Sequence, residues 1–387
     1  MRVDVSLFYA TTILICVGIV FSLSLSAYTV LLFNTDHLHF FIRQLIVGIL
    51  CIFMMWAVSF IKSDKIFVYF GNGLFLIFLI IILFMNVLPE NLVMEVNGAA
   101  RWIKFPLFSI APVEFFKVGF ICFLAWSFDK KISGSKDKPL VSQILLLLPY
   151  LIPFIGIIII VGVVQNDLGQ VMVLCLVMIM MLLFAGTSMK LLGMGFVGVF
   201  TLGVIFIITS EHRIERFMSW WGGVQDIVLK FVSPQMATRL HVEGASAPYQ
   251  VSHSLNAINN GGFFGQGIGE GSFKLGFLSE VHTDFVLAGI TEEIGFIGIT
   301  CIVLLFLFIL YHIFHIASLF REKNNTYYLF SVGIGFMLLF SFIINAYGIT
   351  SILPVKGIAV PFLSYGGSHV MAASLAIALV LMISKKA

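Results

Sequence analysis

The stretch 143–164 reads QILLLLPYLIPFIGIIIIVGVV. It carries no charged side chain, and its polar groups are confined to Gln143 and Tyr150. A helix needs ~20 consecutive apolar residues to cross a bilayer, so this run is long enough to span one. Working outward, the same pattern recurs at about 7–33, 42–61, 66–88, 109–128, 169–186, 190–209, 285–312, 327–349 and 358–384. The expected count is about ten transmembrane helices. Only Gln165-Asn166-Asp167-Leu168-Gly169 separates 143–164 from the next run, so nine stays open. Composition agrees with a lipid solvent. Of 387 residues 60% are apolar and 11% charged, against about 25% charged in soluble domains, and the mean hydropathy is +1.08. The expected fold class is all-α: a polytopic integral membrane protein, read as a single transmembrane domain over 1–387.

The first run is too long for a signal-peptide core and lacks a clear small-x-small cleavage site, so it reads as a retained helix. Cys16, Cys51, Cys122, Cys175 and Cys301 all fall in apolar runs, which suits small buried side chains and not disulfides or a metal. No basic stripe with interleaved aromatics is present, so nucleic acid is not an expected partner. Orientation follows from Lys and Arg in short loops. With the N-terminus inside, the inner segments hold Arg2, Lys62, Lys65, Lys130, Lys131, Lys136, Lys138, Lys190, Arg321, Lys323, Lys385 and Lys386. The short outer loops hold only Arg43, Arg101, Lys104 and Lys356. Both termini are expected in the cytoplasm. One large outer loop, 210–284, then joins helices 7 and 8. Its first half, Arg213 to Leu240, suits short amphipathic helices lying on the membrane surface, and its second half is glycine-rich.

Ionisable residues at membrane depth are costly and tend to serve function. Glu114 and Lys117, spaced i,i+3, face one side of the fourth span and read as a structural ion pair or a functional one. Asp167 between two spans is a helix cap or a functional carboxylate. Asp284 follows His282-Thr283 and opens the eighth span, where the helix dipole favours a carboxylate. There it serves as a helix-terminal charge, a general base or a metal ligand. A lone His282 is a weak metal signal. The stretch Gly261-Gly262-Phe263-Phe264-Gly265-Gln266-Gly267-Ile268-Gly269-Glu270-Gly271, followed by Lys274, reads as an anion cradle or as a flexible loop. Glycines and prolines between Gly348 and Ser368 break a helix near the outer surface, as in segments that line a polar cavity.

These motifs resemble those of the SEDS family, the FtsW, RodA and SpoVE proteins of bacterial cell-wall growth. Ser24 to Ala27 with Arg43-Gln44 resembles the family's first loop, and Asn97-Gly98-Ala99-Ala100-Arg101-Trp102 its G-x-x-R-W. Pro112, Glu114 and Lys117 match P-x-E-x-x-K, and Gln165-Asn166-Asp167-Leu168-Gly169 is similar to Q-P-D-L-G with Asn166 in place of proline. Gly265 to Gly269, Lys274 and His282-Thr283-Asp284-Phe285 match the long-loop signature, and Glu292-Glu293-x-Gly295 its E-E-x-G. Lys356-Gly357 and Pro361 to Ser368, including Ser364, match the P-F-x-S-Y-G-G-S ending. Trp220 to Ala247 is longer than the family pattern, and His369 stands where a second serine is common.

The resemblance implies a peptidoglycan glycosyltransferase of the bacterial cytoplasmic (inner) membrane that polymerises lipid II, an undecaprenyl diphosphate-linked disaccharide-pentapeptide. It implies Asp284 as the essential acid, with Asp167, His282 and Ser364 among the substrate-binding residues. Arg101, Lys274 or Lys356, or a divalent cation such as Mg or Mn, would neutralise the diphosphate. Membrane lipid, a class B penicillin-binding protein and other divisome proteins are the implied partners. Lys356-Gly357 resembles the division-type branch, whereas Leu353-Pro354-Val355 and Phe362 look more like the elongation type. A lipid II flippase and a non-catalytic scaffold are the competing readings.

Overall fold

The computed structural model describes residues 3–386 apart from 28, 31–35, 37, 62–63, 90, 97–98, 106–108 and 243–247. Arg2, Lys62, Asn97 and Gly98 of the sequence argument, and part of the C-terminal end of the first span, lie outside the described residues.

The chain is a helical bundle. Its long helices are α1 Val5–Leu25, α2 His39–Ser59, α3 Asp64–Phe84, α4 Pro112–Lys131, α5 Leu140–Ile159, α6 Leu168–Phe184 and α7 Met189–Ile208. Three further helices follow, α8 Glu211–Val228, α9 Pro234–Leu240 and α10 Tyr249–Gly261. Then come α11 Val286–Phe320, α12 Asn325–Ile349 and α13 Gly367–Ser384. Among the described residues, 8 helices are long and apolar enough to cross a membrane. The shorter apolar α6 and the charge-bearing α4 bring the number of spans to the expected ten.

The solvent is legible in the helix faces. In α1 the buried residues Leu7, Ala10, Thr11, Leu14, Ile15, Gly18, Ile19 and Ser22 form a stripe at helical spacing. The face turned away carries Tyr9, Ile13, Val20 and Leu23 where a water-facing helix would be polar. α12 and α13 are central, 67% and 78% buried, and α7 is peripheral at 11%. With lipid outside, packing rests on close fit of small residues. Gly119 of α4 lies so near α3 that an added Cβ would stand 2.4 Å from the Phe75 backbone nitrogen.

Two features depart from a set of plain spans. Three strands, β1 Val93–Val96, β2 Ala99–Lys104 and β3 Ser109–Ile110, form an antiparallel sheet in that order. The last span also starts later than expected: 358–366 is irregular and the helix opens only at Gly367. At about 1.5 Å per residue α11 would overshoot a ~30 Å hydrocarbon core. It is broken at Gly295 (φ 68°, ψ −172°), so a short buried piece precedes the spanning piece. Gly295 and Gly265 (φ 82°) meet there backbone to backbone; a Cβ on Gly295 would stand 2.3 Å from the Gly265 nitrogen. At the opposite end of the bundle the first and last helices are tied, with Asp4 N–H donating to Ser384 Oγ at 3.1 Å.

Candidate active site

Three irregular segments, the sheet and the head of α8 converge at one end of the bundle. The first segment is the turn 165–167. α5, with Pro149 and Pro153 inside it, runs into a π-helical turn, Ile160–Val164. Asn166 then takes a positive φ of 51°. Asp167 N–H donates to Val161 O at 2.9 Å, and its carboxylate caps α6 by accepting from Gln170 N–H at 3.2 Å. Two arginines grip this turn. Arg101 of β2 donates from Nε to Gln165 O at 2.7 Å and from Nη2 to Asn166 O at 2.8 Å. Arg213 of α8 donates from Nη2 to Gly162 O at 3.0 Å and Asn166 Oδ1 at 3.2 Å. The sheet is the device that carries Arg101 to the turn.

The second segment is 280–285, leading into α11. Glu280, at φ 58°, accepts the backbone N–H of Thr283, Asp284 and Phe285, which winds the chain tightly and delivers Asp284 just before the helix. The third is 350–366. Asn345 of α12 donates from Nδ2 to Asp284 O at 2.7 Å and Ile358 O at 2.8 Å, tying the two segments together. Gly357 stands against the Asp284 carboxylate, where an added Cβ would lie 3.0 Å from Oδ2. Lys356 crosses the first turn of α6: a Cβ on Gly169 would lie 3.4 Å from Lys356 Cβ. Among the described residues, the non-glycine positions with positive φ are Asn166, Glu280, Ser351 and Phe362, all within these segments. Such strain collects where surrounding structure enforces a geometry.

Electrostatics follow from this enclosure. Burial, with the nearby negative charges of Glu280 and Asp167, lifts the Asp284 carboxyl to about 7 against the pull of Arg101 and Arg216. Burial also raises Asp167, opposed by Arg101. Burial and the repulsion of Arg216 and Arg213 lower Lys356 to about 8. A carboxyl near 7 is matched to general-base work at neutral pH.

The structure thus brings together Asp284, Asp167, Arg101 and Lys356. Three other residues expected to bind substrate are placed elsewhere or enclosed. Ser364 is 0% exposed; its Oγ donates to Thr283 O at 2.7 Å and accepts from Val360 N–H, so it locks the second segment to the third. His282 packs its ring against Phe40 and Tyr365, and its carbonyl accepts Tyr365 N–H, which makes it a pin between segments. Burial keeps its imidazole below the ordinary range.

Lys274 is 4% exposed and all three of its donors are taken, by Glu293 Oε1 at 2.7 Å, Ser24 Oγ at 2.9 Å and Gly269 O at 2.6 Å. The residues flanking the glycine-rich stretch, Asn260, Ser272 and Phe273, hold an anion, but the anion belongs to the chain. Glu292 Oε1 accepts Ser272 N–H, Ser272 Oγ and Asn260 Nδ2, while Gln266 and Gly267 N–H bond the carbonyls of Glu292 and Glu293. The residues around the loop wrap the Glu292 carboxylate, and Lys274 pairs with Glu293 through Oε1 while Glu293 Oε2 is buried without a partner.

Glu114 and Lys117 form an ion pair at 2.9 Å, and Gln170 Nε2 donates to Glu114 Oε1 at 2.7 Å. This pair sits behind the Asp167 cap, beside a cavity of about 20 Å³ that Ser341 and His369 also line. Among the described residues no three His, Cys, Asp or Glu side chains gather as a metal ligand set. Mg is commonly bound by one or two carboxylates together with substrate phosphates, and Asp284 and Asp167 are carboxylates at this mouth. The sequence reading gave no role to Arg213, Arg216, Asn345 or Gly357. The i,i+3 spacing of the two arginines at the head of an amphipathic stretch was the available signal for the first pair.

Fold and site together define a multi-pass membrane protein with a buried carboxylate and several cations at one mouth of the bundle. The family model for the cell cycle proteins FtsW, RodA and SpoVE matches residues 5–387. The chain belongs to that family. A Helicobacter pylori protein named probable peptidoglycan glycosyltransferase FtsW is 44% identical over 386 residues, covering 100% of this chain and 99% of that protein. A Haemophilus influenzae protein of the same name is 30% identical, with 98% and 90% covered. The Thermus thermophilus rod shape determining protein RodA has the same fold, with TM-score 0.65 at 21% identity, covering 100% of this chain and 98% of that one. So does a chain from a structure described as "Structural coordination of polymerization and crosslinking by a peptidoglycan synthase complex", with TM-score 0.70, 21% identity and the same coverage.

Proposed function

We propose that this chain is a peptidoglycan glycosyltransferase that polymerises lipid II into glycan strands during septal wall synthesis. The observation that carries the reading is the convergence of an elevated-pKa carboxyl, Asp284, with Lys356, Arg101, Arg213 and Arg216 at one mouth. The reaction needs a base for a sugar hydroxyl and cations for a departing lipid diphosphate. Asp284 takes the hydroxyl proton as the acceptor oxygen bonds to the donor's anomeric carbon. The bond from that carbon to the diphosphate breaks, and the leaving group departs as an anion held by the mouth's cations. Asp284 and Asp167 are the carboxylates that would hold Mg or Mn bound with the diphosphate, and the ion would add charge neutralisation.

The division-type assignment is supported by the name of the relatives that match across the chain and by Lys356-Gly357. Placement in the bacterial cytoplasmic membrane, both termini inside and 210–284 outside, is supported by the Lys and Arg bias of the short loops. A class B penicillin-binding protein and other divisome proteins are the partners this reading assigns. Purified protein, with and without the class B penicillin-binding protein, is incubated with labelled lipid II and the products are run on a gel. Glycan ladders support the reading. Transbilayer movement of lipid II without ladders supports a flippase instead.

A further inference from the structure

Four cations face the mouth, but their donors are not equally committed. Arg101 spends Nε and Nη2 on the carbonyls of Gln165 and Asn166. Arg213 spends Nη1 and Nη2 on Phe206 O, Gly162 O and Asn166 Oδ1. Both act on the 165–167 turn. Among the described residues, the side chains of Arg216 and Lys356 make no hydrogen bond or ion pair.

The position of Arg216 is fixed by its neighbours on α8. Arg213, Arg216 and Trp220 are spaced i, i+3 and i+7, so they share one helix face. Arg213 at one end of this row is anchored on Asn166 beside Asp167. Trp220 at the other end donates from Nε1 to Ser351 O at 2.9 Å, in the segment that carries Lys356. Arg216 lies between these anchors, on the face turned to the mouth, and is exposed. Its charge is felt at both Asp284 and Lys356. Two like charges held with free donors toward one space leave a repulsion that a bound anion relieves.

We propose that Arg216 and Lys356 form the seat of the donor's diphosphate, and that Arg101 is a positioning residue for the Asp167 turn. The inference rests on the glycosyltransferase reading and names the leaving-group subsite within it. The guanidinium fork suits two oxygens of a phosphate, and the lysine supplies a point charge to the other phosphate. The expected ligand class is a lipid diphosphate. A headgroup with a single phosphate leaves one cation unserved.

The test measures binding apart from turnover. Full-length protein in nanodiscs is titrated with undecaprenyl diphosphate, undecaprenyl monophosphate and phosphatidylglycerol, and lipid II polymerisation is assayed in parallel. The unaltered chain is expected to prefer the diphosphate. Arg216→Gln should weaken diphosphate binding about tenfold or more, as expected for loss of a charge-assisted contact. It should leave monophosphate binding little changed, and Arg216→Lys should recover part of the loss. Because the Arg216 side chain is exposed and makes no hydrogen bond or ion pair, its variants should keep the thermal stability of the unaltered chain. Undiminished diphosphate binding by Arg216→Gln, in a chain that still polymerises lipid II, overturns this inference alone. Equal binding of phosphatidylglycerol also overturns it. A chain that neither binds the diphosphate nor polymerises overturns both this inference and the function on which it rests.

Discussion

The carboxylate of Asp284 is seated against a glycine: no side chain fits at Gly357 without meeting Oδ2, since a Cβ there would stand 3.0 Å away. Segment 350–366 therefore limits where that oxygen can lie, and Asn345 fixes the backbone behind it by bonding Asp284 O and Ile358 O.

Gly357→Ala is the direct consequence. The methyl displaces the carboxylate by a few tenths of an ångström and leaves the charge in place. Misplacement by ~1 Å is worth about 10²-fold in rate, so roughly a tenfold fall in kcat is expected, with substrate affinity retained. Unchanged kcat would show that the carboxylate has slack.

The pH dependence follows from the same enclosure. The Asp284 carboxyl rises from 3.8 to about 7 on folding, chiefly through burial. A base must be ionised, so polymerisation should fall tenfold per pH unit below about 7, and it should fall again above about 8 as Lys356 loses the charge that holds the diphosphate. Stability runs the other way. A raised folded-state pKa favours the protonated form, a contribution complete below pH 3.8 and lost as pH climbs through 7. Asp284→Asn should therefore melt modestly above the unaltered protein at pH 5 and further above it at pH 8. Melting curves at the two values check this, and an unvarying difference would contradict the assigned environment.

Lys274 and Glu293 carry a structural prediction. Their pair is buried at 4% and 0% side-chain exposure. Removing one partner strands a buried charge at a cost of about 3–5 kcal/mol. Lys274→Met should sharply reduce the folded fraction in detergent, and adding Glu293→Gln should restore part of it. Loss of activity by Lys274→Met at full stability would return Lys274 to the substrate site.

Topology can be read chemically. Lys136 between α4 and α5, and Lys230 after α8, are exposed at opposite ends of the bundle. Single cysteines at these positions, in a background lacking the native five, should label from opposite sides with an impermeant thiol reagent. Lys230→Cys is the one expected to react from outside.

The spans were legible because one face of every membrane helix must satisfy lipid, and that demand writes long apolar runs. Asp284, Asp167, Arg101 and Lys356 were legible as charges at span ends. The sheet under Arg101 was signalled by Asn97-Gly98, a strong hairpin cue, but strand pairing depends on partners that short apolar strands do not announce. The internal partners of Lys274 and Ser364 were not legible for a different reason. Their partners, Glu293 and Ser24 for one and Thr283 for the other, come from distant sequence, and no local pattern tells a satisfied donor from a free one.

The central claim is that Asp284 is the base of a lipid II polymerase, and one measurement addresses it most directly. Asp284→Asn, confirmed as folded and membrane-inserted, is purified with its class B penicillin-binding protein and incubated with labelled lipid II. Glycan chain formation should fall by ~10²–10⁴-fold, the usual worth of a positioned general base, while lipid II still binds. Polymerisation near the level of the unaltered protein would contradict the account.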